Sequence, residues 1–146
     1  MHPSIGRRLA GATLVALLAG AASTSPAAAQ ARCTAPDEPG WHSCLTASHR
    51  LAEDGAAIHL TKVRPRLVVR YEDGCPDGAD RRTVAIRTAD GRRLGRTTVR
   101  SRCRRGVARY DTTVRLDLDL AEGTVLRSFW SGIPDDATAP KVKLTG

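Results

Sequence analysis

The sequence predicts an all-β domain. The expected form is a small antiparallel sandwich, immunoglobulin-like or similar, or a partly open barrel, with about seven to eight short strands and two disulfides. Three observations predict it. Short runs that alternate apolar with charged residues are separated by Gly-containing turns from Tyr71 onward. The 4 Cys are widely spaced, which in an oxidising compartment reads as two staples rather than a metal cage. Strand-length runs rich in β-branched residues recur upstream of Tyr71 as well.

Residues 1–31 read as an export leader. Arg7 and Arg8 precede an apolar run from Leu9 to Ala22, which is too short for a membrane-spanning helix, and small residues follow at 27–31. No transmembrane span is expected. Ala29-Gln30-Ala31 sets a cut before Arg32, the preferred one, and Ala27-Ala28-Ala29 sets a second before Gln30. The arginine pair lacks the neighbours of a twin-arginine signal, so general secretion is expected, and Arg32 disfavours a lipid anchor on Cys33. Residues 32–146 then form one secreted domain, long enough for a modest core.

Within that domain, Leu45 to Ala52 fits two descriptions. Glu53-Asp54-Gly55 favours a hairpin into Ile58, whereas Leu45, Ser48 and Ala52 would also share a helix face. Ile58 to Val63 and Leu67 to Tyr71 are β-branched and aromatic runs separated by Arg64-Pro65. Proline cannot donate to a ladder, so Pro65 is expected at an edge or at a crossing between sheets.

Further on, each turn fixes a register, and each register assigns side chains to faces. Asp90-Gly91 as a two-residue turn pairs Arg87 with Leu94, Ile86 with Gly95, Val84 with Thr97 and Arg81 with Arg100. Val84, Ile86 and Val99 then share an apolar face, and Arg81, Arg87, Arg96 and Arg100 share the opposite one. Arg105-Gly106 as a second such turn pairs Arg100 with Asp111, Thr97 with Val114 and Gly95 with Leu116. At Ala121-Glu122-Gly123 a three-residue loop with Gly123 left-handed pairs Leu118 with Leu126, Asp117 with Arg127 and Val114 with Trp130. Lys141 to Leu144 reads as a last short strand. In this meander Cys75 and Cys103 follow strands that end at the same side, which pairs them and leaves Cys33 with Cys44.

The charge distribution carries the main functional signal. Residues 81–109 hold eleven Arg and one acid, Asp90, for a net +10. Residues 32–146 carry twenty-one basic and fifteen acidic side chains, a net +6, so everything outside that segment nets −4. Arg81, Arg87, Arg96 and Arg100 on one sheet face, with Arg102, Arg104, Arg105 and Arg109 at the turn end, form a candidate anion site for nucleic acid, anionic wall polymers, sulfated glycans or acidic headgroups. The competing reading is a solvated face that also protects a strand edge from aggregation. Only five aromatics, 2 Trp, 2 Tyr and 1 Phe, are present, which disfavours single-stranded nucleic acid.

Catalysis finds no constellation. His42-Ser43 adjoins Cys44, and His49 and His59 fall across the expected hairpin, but no nucleophile motif or paired carboxylates accompany them, and each His reads as a surface or half-buried residue. Asp135-Asp136 lacks the spacing of a calcium loop. No metal or cofactor is expected. The function that follows is a small secreted, non-catalytic binding domain that takes anionic polymers on its Arg-rich face. The alternative is an extracellular protein-interaction or protease-inhibitor-like protein acting through Ile133-Pro134-Asp135 or the Cys33 to Cys44 loop, and a secreted enzyme comes third. Beyond a polyanion or an extracellular protein, the sequence names no partner.

Overall fold

Nine antiparallel strands among the described residues divide into two facing sheets in the computed structural model, which describes residues 28–34, 40–134 and 139–146. The first sheet runs β1 (Ala28–Cys33), β2 (Trp41–Leu51) and β3 (Ala57–Arg70); β6 (Val107–Asp111) and β7 (Val114–Ala121) share the far edge of β3. The second has the order β5 (Arg93–Arg100), β4 (Arg81–Thr88), β8 (Val125–Trp130) and β9 (Lys141–Lys143). Period-two alternation turns one face of each sheet inward. Leu45, Ile58, Leu60, Val63 and Leu67 from the first sheet meet Val84, Ile86, Leu126, Trp130 and Val142 from the second, all buried.

The ambiguous segment is strand as far as Leu51, and the turn at Glu53-Asp54-Gly55 closes a hairpin in which Ala52 N–H donates to Ala57 O at 2.9 Å. The two expected strands around Arg64-Pro65 are one continuous strand, β3. Pro65 is therefore neither an edge nor a crossing. It pairs with Leu45 of β2, and its carbonyl points to the other side, accepting from Thr112 N–H at 3.4 Å. Its missing N–H thus falls where β6 gives way to β7, in the gap between Asp111 and Val114, and no ladder bond is lost.

The Asp90-Gly91 hairpin has the expected register at Arg81 with Arg100, Val84 with Thr97 and Ile86 with Gly95. A bulge then makes Arg93, in place of Leu94, the partner of Arg87, while Leu94 packs on the core. The next two turns form but do not make hairpins. Arg105 and Gly106 are both left-handed (φ 53° and 74°), yet only Arg104 and Val107 bridge across them. β5 stays on β4, whereas β6 and β7 pair with β3, so the chain crosses from sheet to sheet. Arg100 consequently does not pair with Asp111, nor Thr97 with Val114. Gly95 does meet Leu116 and Val114, but from the facing sheet: a Cβ on Gly95 would lie 3.0 Å from both side chains. Likewise Gly123 is left-handed as expected, but β8 pairs with β4 and β9, which separates Leu118 from Leu126, Asp117 from Arg127 and Val114 from Trp130 in the ladders.

Both disulfides join the expected cysteines, Cys33 with Cys44 and Cys75 with Cys103. The expected reason for the second was two strand ends in one sheet. In fact Cys75 lies on the crossing from β3 to β4 and Cys103 on the crossing from β5 to β6, so the bond ties the two sheets together at one end. Around it, Tyr71 N–H donates to Gly106 O and Ser101 N–H to Asp80 O, both at 2.7 Å, and the Tyr110 hydroxyl donates to Ala79 O.

Gly106 is the tightest backbone approach at that end. A Cβ there would sit 2.5 Å from Tyr71 O, whereas at Gly91, also left-handed (φ 92°), nothing lies within 4 Å. Left-handed backbone costs an L-residue about 1–2 kcal/mol. Gly91→Ala should lose about that much by chemical denaturation, and Gly106→Ala clearly more, because Tyr71, whose N–H donates to Gly106 O, would have to move away from the added Cβ; equal losses would mean that the close approach at Gly106 carries no constraint.

Candidate anion-binding face

The two sheets differ sharply in the charges they turn to solvent. In the first, carboxylates are interspersed: Asp111 ends β6, and Asp117 and Asp119 lie on β7. Arg64 Nε and Nη2 donate to the two oxygens of Asp111 at 2.8 and 2.6 Å, and His59 Nδ1 lies 2.7 Å from Asp119 Oδ1. In the second sheet, none of the four strands contains an Asp or Glu.

The outward positions of that second sheet are Arg81, Thr83, Ala85 and Arg87 on β4, with Arg93, Arg96, Thr98 and Arg100 on β5. β8 adds Arg127 and Phe129, and β9 adds Lys141 and Lys143. The guanidinium carbons of Arg87 and Arg127 stand 5.2 and 5.0 Å from the Phe129 ring centroid. One ring thus holds two like charges side by side, a cation–π arrangement that offsets part of their repulsion.

The eight arginines expected to form the site are dispersed over three places. Arg81, Arg87, Arg96 and Arg100 share the outward face as expected, all exposed. Arg102, Arg104 and Arg105 lie at the crossing from β5 to β6, beside the disulfide. Arg109 belongs to β6, opposite Val68, on the outer face of the other sheet, so it is no part of this patch. The crossing end carries a groove of about 880 Å³ between 75–80 and 100–104, but Asp77 and Asp80 line it together with Arg100, Arg102 and Arg104, which makes it mixed in sign. Arg93, Arg127, Lys141, Lys143 and Phe129 were not among the expected site residues. Arg127 was legible as outward-facing, but its place beside Arg87 depends on the pairing of β8 with β4.

Arg82 is a different kind of arginine. It lies at the inward edge of β4, donates to the Tyr71 hydroxyl at 3.0 Å and to Ser131 O, and sits 5.6 Å from the Tyr110 ring centroid. Burial lowers its pKa, but the hydrogen bonds to Tyr71 and Tyr110 outweigh that and leave it raised. Burial also pushes the Tyr110 phenol above its ordinary value. This guanidinium pins the chain after β8 to the crossing end and has a structural role.

The other candidate residues also have clear places. His49 and His59 are on opposite faces of the hairpin, and His49 is 1% exposed, with Nε2 2.9 Å from Thr145 O, not the surface or half-buried residue expected. His42 Nδ1 is 3.2 Å from Thr34 Oγ1 and its Nε2 3.4 Å from Cys44 Sγ. The sulfurs of Cys33 and Cys44 and the His42 ring cluster within 4.8 Å, but the sulfurs are bonded to each other and offer no thiolate. Ile133, part of the alternative loop site, packs on the core, while Asp135, Asp136 and residues 35–39 of the Cys33 to Cys44 loop lie outside the described residues.

No family model and no curated protein matches the chain. Among solved structures it is similar to the variable (V) domain of the Streptococcus agalactiae AgI/II polypeptide BspA, at 16% identity over 93% of this chain and 95% of that chain, with a TM-score of 0.29. A likeness at that level carries no functional argument.

The Asp111 contact supplies a pH test of the balanced face. The Arg64 hydrogen bonds hold the Asp111 carboxyl below its ordinary pKa. A carboxylate depressed in the folded state stabilises above its unfolded pKa, about 3.9, and loses that contribution as pH falls through the folded value. The difference in Tm between wild type and Asp111→Asn should therefore shrink as pH is lowered from neutral to below about 3. A difference that stayed constant would assign the effect to packing.

Proposed function

We propose that this protein is an exported, non-catalytic binding domain that takes polyanions on the outer face of its second sheet. The observation that carries the reading is that four hydrogen-bonded strands contain no acidic residue while they present cations on every strand. Like charges directly opposite one another destabilise a sheet. Arg81 faces Arg100, Arg87 faces both Arg93 and Arg127, and Arg127 faces Lys141. A face that only needed solvation would be better served by the mixed signs seen on the other sheet. An anionic polymer supplies counter-charge that the strands themselves do not contain, and it releases its own condensed ions on binding.

Export is part of the same proposal. Two disulfides, and the absence among the described residues of any helix long and apolar enough to cross a membrane, fit an extracellular protein. The leader is assigned to residues 1–31 and the working domain to 32–146. Ala28 to Ala31 pair with His49 to Thr46, so the cut before Gln30 keeps two of these four ladder partners and the cut before Arg32 keeps none.

Two experiments follow. Amino-terminal sequencing of protein from the culture medium should read from Gln30 or Arg32; protein retained in cells with Met1 intact would remove the export proposal. Replacing Arg87, Arg96 and Arg100 together with Gln should shift stability by less than about 0.5 kcal/mol per site, since all three are solvent-facing. The same variant should elute from heparin at lower salt, and its slope of log affinity against log salt should flatten by about one unit per lost contact. Unchanged elution at every salt concentration would make this a solvated face.

A further inference from the structure

The cations on this face are ordered as well as numerous. Arg87 is the register partner of Arg93 on one side and of Arg127 on the other, and Arg127 is the partner of Lys141. Each strand of the sheet therefore contributes one cation to a single row that runs across β5, β4, β8 and β9. At the inter-strand spacing of a sheet, 4.7–4.9 Å, the row is about 14 Å long from first to last strand. Phe129 holds the two central guanidiniums from the adjacent row, where Ala85 and Arg96 stand next to it. Arg81 and Arg100 form a separate pair toward the other end of the strands, with Thr83 and Thr98 between.

Resting on the polyanion reading above, we infer that the row Arg93, Arg87, Arg127, Lys141 is the binding track of a linear acidic polysaccharide that lies across the strands, with Phe129 as the positioning residue for its two central contacts. A row of regularly spaced charges matches a chain whose charges recur regularly, and it does not match a compact anion. The planar guanidinium forks suit carboxylate and sulfate oxygens. Single-stranded nucleic acid fits less well: its sequence-tolerant binding uses aromatic platforms for bases, and Phe129, the one aromatic on this face, already carries two guanidiniums. The inference is more specific than charge attraction, because it ranks cations of equal charge by their place in the register, the half-buried Arg127 included.

The experiment compares two double variants of equal charge in the full chain, R87Q/R127Q on the row and R81Q/R100Q off it, using heparin oligosaccharides graded in length from the disaccharide upward. For wild type, affinity should rise with length until the oligosaccharide spans about 14 Å, then level off. R87Q/R127Q should lose about tenfold or more in affinity, and R81Q/R100Q less than about threefold. Phe129→Leu, which keeps every cation, should weaken binding while leaving the salt slope unchanged, a readout that loss of charge alone does not produce. Circular dichroism and thermal unfolding of each variant establish that it is folded, and R87K/R127K, which keeps charge but loses the fork, should fall between wild type and R87Q/R127Q. Wild-type protein that binds no heparin at low salt overturns the polyanion reading itself. Wild-type binding with equal losses in the two double variants leaves that reading standing and overturns the track. Tighter binding of single-stranded DNA than of heparin oligosaccharide of equal length and salt overturns the polysaccharide assignment.

Discussion

Two crossings between sheets meet at one end of the sandwich, and the bond between Cys75 and Cys103 joins them. The rest of the fold depends on that junction. It fixes where β4 begins relative to the end of β3 and where β6 begins relative to the end of β5, and hence which inward faces meet. The surrounding contacts reinforce it: Gly106 approaches Tyr71 closely enough to exclude any side chain, the Tyr110 hydroxyl reaches Ala79 O, and Arg82 ties Tyr71 to the chain after β8. A domain of this size has a modest core. A covalent staple across the ends of two sheets constrains relative sheet position, which apolar contacts alone specify weakly because they are non-directional.

With the sheets fixed, the two outer faces can be compared inside one molecule. Both are rich in arginine, and only one contains carboxylates. Arg64 with Asp111 and His59 with Asp119 are the ordinary cross-strand solution for an exposed sheet. On the other face the same backbone geometry brings arginine beside arginine, and one aromatic ring lies against two of them. The difference cannot come from composition bias alone, since both faces belong to the same chain.

The sequence by itself determined the all-β class, the inward and outward assignment of most strand residues and the turns at Arg105-Gly106 and Gly123, which rest on local rules: period-two alternation and the preference of turns for glycine. It also named both cysteine pairs, but the second from a one-sheet strand order that the structure replaces with two crossings between sheets. These rules also placed Arg81, Arg87, Arg96 and Arg100 on one solvent face. Tertiary structure alone decided which sheet each strand joins. An inward-facing strand has the same alternation whether its neighbour lies beside it or faces it across the core, so Gly95 against Leu116 looked like a ladder pair and proved to be a contact between sheets. For the same reason Pro65 was misjudged, because its cost depends on what lies beyond its missing N–H, and here that is the gap between β6 and β7. The row of Arg93, Arg87, Arg127 and Lys141 was out of reach of local rules because it exists only once β8 pairs with β4 and β9 with β8, and those partners are distant in sequence and selected by the burial of Trp130, Leu126 and Val142 rather than by any turn between them.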